Sequence, residues 1–460
     1  MDPVIDALVE VVGATHVLGD ADTMAGYCVD WTGRWRGQAT VVVRPGSTAE
    51  VSEVVRRCAA HDAVVVPQGG NTGLVGGGVP AADHPTGRAV VVLSLRRLAT
   101  IEQLDAVAAQ LTVGAGVTLA DLQAHLLVAG GALEFAVDMA SRASATIGGM
   151  VATNAGGLHV VRYGPMRAQV LGVEAVLADG SVISRLDGLL KDNTGYDLSQ
   201  LLVGSEGTLG IVCRARLRLI PTQASHAVAL VGLGCTADAV DAVAKLRARS
   251  PHLSAAEVMF DDGFELVRRH AGLAQPLPRR WPVYLLVEWA GPPPAVEDEL
   301  AALAEARPDD SMALGIDGSA RARLWAYRER HTEAINALGA PHKLDVTLPL
   351  GRFADFAERV GDAVRAARPD AIVVLFGHVG DGNLHVNVVG PAPDDPAVDD
   401  VVLRLVASAG GSISAEHGIG RAKVPWIGLT RSRADLTAMR AVKRALDPSA
   451  RFNTGVIFPI

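Results

Sequence analysis

A loop too rich in glycine for helix or strand follows an early apolar run of the chain. The run Ala63 to Pro67 predicts a β-strand, and it leads into residues Gln68–Gly78, the first glycine loop, where six of eleven residues are glycine. Glycine has no Cβ, so such a backbone can approach a ligand closely and turn several N–H groups toward one anion. The pattern predicts an anion-binding loop at the end of a strand.

Two common nucleotide motifs are excluded. The first glycine loop is not a P-loop, because no Gly-Lys-Ser/Thr sequence follows it. Gly114-Ala115-Gly116 resembles the start of a dinucleotide fingerprint, but Leu119 stands where the third glycine should be. We interpret this segment as a turn before a helix that starts near Thr118. The sequence therefore carries no nicotinamide signature.

Further glycine-rich segments follow in the same half of the chain. Residues 141–157, the second glycine block, combine small hydroxyl residues with paired glycines, and another turn-rich stretch runs from Lys191 to Ile211. Each segment alone is equally well explained as tight turns in a β-rich domain. Their recurrence between residues 68 and 211 favours a single ligand-binding domain.

Two histidines seven residues apart flank a turn in Gly377–Asn387, the histidine turn. Apolar runs on both sides predict two strands joined by Gly-Asp-Gly-Asn. Side chains alternate along a strand, so His385 and Asn387 share a face. A histidine pair beside a turn is commonly structural, but strands rarely bury two histidines and an asparagine without a function. With His378, His385 and the later Glu416, the sequence predicts a three-ligand metal site that keeps a position open for substrate.

Composition limits the class of protein. A chain of 460 residues predicts two or three domains at ~150 residues each. Hydrophobic residues make up 49% and charged residues 20%, so a large core is feasible. The net charge of −8 argues against nucleic acid as a partner.

The cysteines and the N-terminus bear on the compartment. The four cysteines form no CxxC pair, which argues against a disulfide framework and fits a reducing compartment. The acidic N-terminus lacks the features of a signal peptide, and no run reaches the ~18 apolar residues of a membrane span. We expect a cytoplasmic protein without a transmembrane segment.

Together these segments resemble the FAD-dependent D-2-hydroxyacid dehydrogenases of the vanillyl-alcohol oxidase/PCMH superfamily, which carry an FAD-binding domain of oxidoreductase/transferase type 4. The branch that acts on D-2-hydroxyglutarate is the most similar. The resemblance extends from about Thr40 to the C-terminus. It is most specific in Pro67–Gly73, Asp192–Leu198, Gly377–Asn387 and Ser414–Gly418.

The resemblance implies an α+β fold. A PCMH-type two-subdomain FAD-binding domain is expected beside an antiparallel-sheet α+β substrate cap and a C-terminal helical segment. The expected divisions are a helical lead-in at 1–34, the FAD-binding domain at 35–221, the substrate and metal cap at 222–415, and a segment at 416–460 that returns to the flavin domain.

The resemblance also implies where FAD is held. The first glycine loop would hold the pyrophosphate, the second glycine block would line the flavin and adenine side, and the segment near Ile211 would close on the adenosine end. At the C-terminus, relatives have an Asn-Pro-Gly-Lys-like run; here Asn453 matches it, but the proline and the lysine are absent. No histidine lies between Pro67 and Pro80, so we expect noncovalent FAD. The implied FAD contacts are Gln68, Gly69, Gly70, Asn71, Thr72, Gly73, Ser141, Ser144, Thr146, Gly148, Gly149, Asn154, Glu206, Gly210, Ile211 and Asn453.

Substrate contacts are implied in the cap. In the family an arginine fork binds the substrate carboxylate, which assigns Arg328 here. The sequence predicts one helix from Ser319 to Leu338, on which Arg328 and Thr332 share a face at i, i+4. Lys343 lies on the polar face of the next strand and, with Thr332 and Asn387, resembles the D-2-hydroxyglutarate type, whose second carboxylate needs a cation. Without the resemblance, these residues read as an exposed helix and an edge strand.

The implied chemistry uses a metal and a base. His378, His385 and Glu416 would bind a divalent ion, best Zn²⁺, although nitrogen and oxygen ligands also permit Mn²⁺ or Fe²⁺. A metal on the hydroxyl and carboxylate lowers the pKa of the alcohol, and FAD accepts the hydride at N5. His417 is the candidate base, and a partner of the metal ligands is its alternative role.

The expected function is flavin- and metal-dependent oxidation of a D-2-hydroxyacid, best D-2-hydroxyglutarate, to the 2-oxoacid. The alternatives are a D-lactate or glycolate dehydrogenase or oxidase, and a non-catalytic flavin-binding subunit. Because no nicotinamide or iron–sulfur motif is present, electrons are expected to leave to an electron-transfer flavoprotein or a quinone. A homodimer is left open.

Overall fold

The computed structural model describes residues 3–82, 87–306 and 309–459. Contacts within the chain divide it into two compact units. Unit 1 is made of the described residues up to Gly157, of Gly164–Thr222 and of those from Glu416 onwards, and unit 2 is made of Leu158–Tyr163 and Gln223–Ala415. The short segment at 158–163 therefore packs with the cap, although the expected division left it in the FAD-binding domain. No helix in these described ranges is long and apolar enough to cross a membrane.

Valine-rich strands form the first sheet of unit 1. They are β1 (Val17–Leu18), β2 (Val41–Val43), β3 (Val64–Gln68) and β4 (Val90–Ser94). The order is β1-β2-β4-β3, with β2 and β3 parallel to β4 and β1 antiparallel to β2. Every residue of β2 and β4 is buried, as expected of parallel strands covered on both faces. The first glycine loop leaves this sheet at the end of β3.

The second sheet of unit 1 is antiparallel. Its order is β5-β9-β7-β8, and a separate two-stranded ribbon pairs β6 with β10. These strands are β5 (Gln110–Gly114), β6 (Leu133–Glu134), β7 (Val170–Val176), β8 (Val182–Ser184), β9 (Ile211–Arg218) and β10 (Ile220–Pro221).

The helices of unit 1 begin at capping side chains that the sequence indicated. Ser47 accepts the N–H of Glu50 at the start of the third helix, and Thr118 accepts the N–H of Asp121 at the start of the fourth. The turn expected before Thr118 is thus confirmed. Numbered along the whole chain, they are α1 (Pro3–Val12), α2 (Ala21–Met24), α3 (Thr48–Ala60), α4 (Leu119–Val128), α5 (Ile147–Thr153), α7 (Met166–Gln169), α8 (Leu198–Leu202) and α16 (Arg433–Leu446), with 3₁₀ turns at Ala14–His16, Ala25–Tyr27 and Val424–Leu429.

Unit 2 is built on one antiparallel sheet, which confirms the expected cap sheet. Its order is β14-β11-β13-β12-β16-β17-β15, so β15 lies at an edge. The strands are β11 (Ser225–Leu233), β12 (Leu253–Phe260), β13 (Val283–Gly291), β14 (Met312–Gly315), β15 (His342–Thr347), β16 (Ile372–Gly377) and β17 (Asn383–Val389).

The single helix expected from Ser319 to Leu338 is wrong, because the chain forms two helices that meet at Arg330. The Nδ1 atom of His331 lies 3.2 Å from the carbonyl oxygen of Arg328. In a continuous helix that oxygen would accept the N–H of Thr332, so the side chain competes with the helical bond. The helices of unit 2 are α6 (Val160–Tyr163), α9 (Thr236–Arg249), α10 (Asp261–His270), α11 (Pro293–Ala306), α12 (Gly318–Glu329), α13 (His331–Asn336), α14 (Leu350–Ala367) and α15 (Pro396–Ser408), with a 3₁₀ turn at Asp309–Ser311.

Aromatic packing fixes α12 in unit 2. The ring of Phe264 stacks on Tyr284 of β13 at 3.8 Å between centroids and on Tyr327 of α12 at 4.9 Å. The hydroxyl of Tyr327 also donates to the carbonyl of Ala274 at 2.5 Å. Tyr327 precedes Arg328, so this stack sets the position of the arginine.

Candidate active site

The histidine turn brings two imidazoles to one point. β16 ends at Gly377 and β17 begins at Asn383, and the Nε2 atoms of His378 and His385 lie 3.4 Å apart. A Cβ on Gly377 would lie 2.4 Å from the carbonyl oxygen of Asn383, so the strands can pair this closely only with glycine there. Gly382 has a φ of +83°, which glycine adopts without strain.

Each imidazole has a buried carboxylate beside its Nδ1 atom. The Nδ1 of His378 lies 2.6 Å from Glu257, and the Nδ1 of His385 lies 3.3 Å from Asp345. Both carboxylates are completely buried. An ionised carboxylate only accepts hydrogen bonds, so each Nδ1 carries the proton and each Nε2 presents a lone pair. Burial lowers the pKa of His385 to about 4 despite Asp345, which keeps this imidazole neutral at neutral pH.

This arrangement fits a divalent metal ion. Two nitrogens bound at ~2.0–2.1 Å to a tetrahedral Zn²⁺ lie about 3.4 Å apart, which is the separation of the two Nε2 atoms here. His378 and His385 of unit 2 each offer one nitrogen, and Glu416, the expected third ligand, belongs to unit 1. Metal-binding histidines usually donate their other N–H to a carboxylate or carbonyl, as both do here. The expected donor set is two nitrogens and one carboxylate oxygen.

A ladder of polar side chains extends across β15 and β17. The register pairs Lys343 with Asn387, Asp345 with His385, and Thr347 with Asn383. On each strand the three residues are spaced two apart, so all six side chains lie on one face of the sheet. Asn383 donates to Asp345 at 2.7 Å. Burial lowers the pKa of Lys343 to about 8, so the lysine is charged at neutral pH and loses its charge just above it.

Arg328 joins this cluster through Glu257. Its Nε donates to one oxygen of Glu257 at 2.6 Å, while the other oxygen of Glu257 faces His378. The guanidinium also lies 4.5 Å above the ring of Phe376. Burial favours the neutral form of Glu257, but its interactions with His378 and Arg328 outweigh burial and lower its pKa. Thr332, expected beside Arg328 on one helix, lies on α13 beyond the break and is half-buried.

In unit 1 the first glycine loop and the second glycine block pack on each other. Together they form a cradle. A Cβ on Gly69 would lie 2.3 Å from the hydroxyl of Thr146, and one on Gly70 would lie 1.8 Å from the carbonyl of Ser144. Such contacts are possible only for glycine. Asn71 has a φ of +55° and donates to the carbonyl of Val29 at 2.8 Å, which fixes the loop from the N-terminal side.

The residues of this cradle fit a dinucleotide. The Thr146 hydroxyl and the Asn453 amide oxygen are buried and have no hydrogen-bond partner within the described ranges. A Cβ on Gly73 would meet nothing within 4 Å, so the loop opens to free space there. Unused polar groups beside exposed glycine backbone suit a ligand rich in phosphate and amide groups.

Other expected FAD residues lie around this cradle. Asn154 ends α5 with a φ of +51°, and Glu206 also has a φ of +51°. The Glu206 carboxylate is occupied by the N–H groups of Ile419 and Gly420, at 2.8 Å each, and burial raises its pKa. It therefore holds the turn that follows Glu416 and His417. The remaining expected FAD contacts stay a prediction: Gln68 at the end of β3, Thr72 in the loop, Ser141 before α5, Gly148 and Gly149 in α5, Gly210 just before β9, and Ile211 at its start.

Sequence reasoning missed Glu257, Asp345 and Phe376. Glu257 was detectable as the only acid in Leu253–Phe260, a strand of otherwise apolar or small residues, where a buried charge needs a partner. Asp345 was detectable because it is two residues from Lys343 on the same strand face. Phe376 carries no such signal, because any apolar residue fits the pattern of β16.

The chain matches two family models. "FAD binding domain" matches residues 39–185, and "FAD linked oxidases, C-terminal domain" matches residues 222–457. Many curated proteins are similar over nearly the whole chain, and three of them illustrate the range. A mitochondrial D-2-hydroxyglutarate dehydrogenase of Bos taurus is 38% identical over 98% of this chain and 83% of its own length. A D-2-hydroxyglutarate dehydrogenase of Xanthomonas citri pv. viticola is 38% identical over 99% and 97%. A putative mitochondrial D-lactate dehydrogenase of Schizosaccharomyces pombe is 33% identical over 96% and 85%.

Solved structures share the fold at low identity. p-Cresol methylhydroxylase with bound substrate aligns with a TM-score of 0.79 at 16% identity, over 99% of this chain and 96% of the other. This likeness describes architecture alone.

Proposed function

We propose, from the premise that this chain belongs to the FAD-linked oxidase family of the D-2-hydroxyglutarate dehydrogenases, that it oxidises D-2-hydroxyglutarate to 2-oxoglutarate with a bound divalent metal. The family makes the chain an FAD-dependent oxidoreductase that acts on hydroxyacids. The observation that carries the metal role is the pair of Nε2 atoms 3.4 Å apart, each backed by a buried carboxylate through its Nδ1.

We assign the ligands as His378, His385 and Glu416, and the ion as Zn²⁺. When bound, FAD supplies the hydride acceptor, held noncovalently, and the ion supplies a Lewis acid for the substrate hydroxyl and carboxylate. His417 follows Glu416 in the chain and takes the hydroxyl proton. It must be neutral to do so.

Two cations select a dicarboxylate. The bond from Arg328 to Glu257 uses Nε, and we assign the terminal nitrogens of the guanidinium to the carboxylate beside the reacting carbon. Lys343 and Asn387, paired across β15 and β17, receive the second carboxylate, and Thr332 completes the substrate contacts. A single-carboxylate substrate such as D-lactate cannot form an ion pair with Lys343, so it should bind more weakly.

The acceptor of the electrons is part of the proposal. The sequence carries no nicotinamide motif and no iron–sulfur motif. An electron-transfer flavoprotein or a quinone is therefore the proposed acceptor.

A substrate panel tests the specificity. The FAD-loaded enzyme is assayed with a dye acceptor against D-2-hydroxyglutarate, L-2-hydroxyglutarate, D-lactate and glycolate. We expect the highest kcat/KM for D-2-hydroxyglutarate, and we expect Lys343→Met to lower it at least about tenfold while D-lactate changes little. A higher kcat/KM for D-lactate or glycolate would replace the proposed substrate. Turnover of none of the four would favour a flavin-binding subunit without catalysis.

A further inference from the structure

We propose that Glu257 is a positioning residue shared by the metal site and the substrate-carboxylate site. One buried carboxylate on β12 fixes the imidazole of His378 with one oxygen and the guanidinium of Arg328 with the other. This inference rests on the proposed function, because it takes His378 as a metal ligand and Arg328 as a substrate contact.

The geometry leaves Glu257 no freedom. Its Oε1 lies 2.6 Å from Nδ1 of His378, and its Oε2 lies 2.6 Å from Nε of Arg328. Its side chain is completely buried, and that of Arg328 is 9% exposed. The two partners lie on different elements, α12 and the turn after β16. Glu257 therefore sets the separation between the metal ligand and the substrate-binding cation.

The two partners also demand an ionised carboxylate. Both approach as N–H donors, so Glu257 must accept with both oxygens. A glutamine there has one oxygen and one NH₂ group, and the NH₂ group would face a donor. Glu257→Gln can thus satisfy one partner at most, although it keeps nearly the same volume.

Asp345 provides the matched comparison. It has the same role toward His385 at 3.3 Å, but its second contact at 2.7 Å is the neutral amide of Asn383. Both contacts are made by Oδ1, so Asp345→Asn can keep them but removes the negative charge beside His385, and it is expected to weaken metal binding without moving Arg328.

Glu288 provides a second control for burial alone. It is a buried carboxylate on β13, the neighbouring strand, and it accepts from the indole N–H of Trp325 at 2.8 Å. Its other close groups are the imidazoles of His159 and His226, at 3.5 and 3.9 Å.

The test uses FAD-loaded Glu257→Gln, Asp345→Asn and Glu288→Gln with two measurements. Zn²⁺ affinity is measured by chelator competition without substrate, and the KM for D-2-hydroxyglutarate is measured at saturating Zn²⁺. We expect Glu257→Gln to lower Zn²⁺ affinity by about 10–100-fold, as loss of a ligand's hydrogen-bond partner usually does, and to raise KM at least about tenfold. Asp345→Asn should show the affinity loss with less than about a threefold change in KM, and Glu288→Gln should show neither effect.

Equal KM values for Glu257→Gln and Asp345→Asn would overturn the shared role, as would unchanged Zn²⁺ affinity in Glu257→Gln. Because Zn²⁺ affinity is measured without turnover, it still reports on Glu257 if the unaltered enzyme oxidises no hydroxyacid. An unaltered enzyme that oxidises no hydroxyacid would reject the proposed function, whereas the Zn²⁺ affinities would still test the role of Glu257.

A measurement on the unaltered enzyme covers the case in which Glu257→Gln does not fold. ¹⁵N NMR of histidine-labelled protein is recorded with and without Zn²⁺. We expect two histidines to respond to Zn²⁺, each with a protonated Nδ1 and a metal-bound Nε2. A Zn²⁺ ion bound at Nδ1 would displace Glu257 from His378 and overturn the proposal.

Discussion

The pKa of the Lys343 side chain lies close to neutral pH. Burial lowers its pKa to about 8, so it loses its charge as pH rises through that value. Its neighbour across the sheet is Asn387, an amide that brings no charge of its own. If Lys343 binds the second carboxylate of the substrate, only dicarboxylate substrates should respond to its ionisation.

We therefore predict that kcat/KM for D-2-hydroxyglutarate is level just below pH of about 8 and falls up to about tenfold per pH unit above it. The kcat/KM for D-lactate should lack this fall, and Lys343→Gln should remove it for D-2-hydroxyglutarate. The measurement is a pH profile with both substrates. Parallel alkaline falls for the two substrates would contradict the role of Lys343.

A second residue-scale prediction concerns His331, which is fully buried against Phe376. Burial lowers its pKa from the ordinary 6.5 of histidine to about 3. The unfolded chain therefore takes up a proton below 6.5 that the folded chain does not, and stability is lost as pH falls from 6.5 toward 3. The loss is about 1.4 kcal/mol per pH unit, or about 2 kcal/mol between pH of about 7 and about 5.

Denaturant unfolding of the unaltered protein and of His331→Leu measures this effect. The variant should be less stable at neutral pH, because it loses the contact with the Arg328 carbonyl, and the difference should shrink on acidification. A constant difference across this range would show that His331 is protonated in the folded protein.

At the scale of elements, the glycine-rich segments are the clearest case in which sequence dictates structure. Gly70 packs so closely on the Ser144 carbonyl that a methyl group would lie 1.8 Å from it, whereas a methyl group on Gly19 would meet nothing within 4 Å. Neither glycine has a positive φ, and Gly19 lies outside the first glycine loop, so Gly19 serves as the control.

We predict that Gly70→Ala separates the two segments and lowers the FAD retained after purification by at least about tenfold, because a backbone atom cannot move aside as a side chain can. Gly19→Ala should retain FAD as the unaltered protein does. The measurement is the FAD absorbance per mole of purified protein, and thermal unfolding checks that both variants fold. Equal FAD content in the two variants would mean that this contact does not shape the cradle.

The helix expected at 319–338 shows where pattern reasoning fails at this scale. Helical periodicity continues through Arg330, but His331 turns its ring back to the carbonyl of Arg328 and the helix breaks. Local competition of this kind depends on where one side chain finds room. Strands were predicted more securely, because valine-rich and alternating runs admit few other structures.

At the scale of the whole molecule, the predicted α+β fold, the family and the FAD-dependent oxidoreductase class are confirmed. The expected metal ligands could be named from the sequence because His378, His385 and Glu416 lie in short, glycine-marked segments. Glu257 could not be paired with them, because it is 121 positions from His378 along the chain. A contact at that separation is set by sheet order, which no local pattern encodes.

We propose that hydride transfer from D-2-hydroxyglutarate to FAD needs a metal ion held by His378, His385 and Glu416. The most direct measurement is the anaerobic flavin spectrum after substrate addition to Zn²⁺-loaded enzyme, chelated enzyme and His385→Ala. We predict that the flavin is reduced in the first sample and stays oxidised in the other two. Complete reduction of the flavin in all three samples would show that the reaction needs no metal ion.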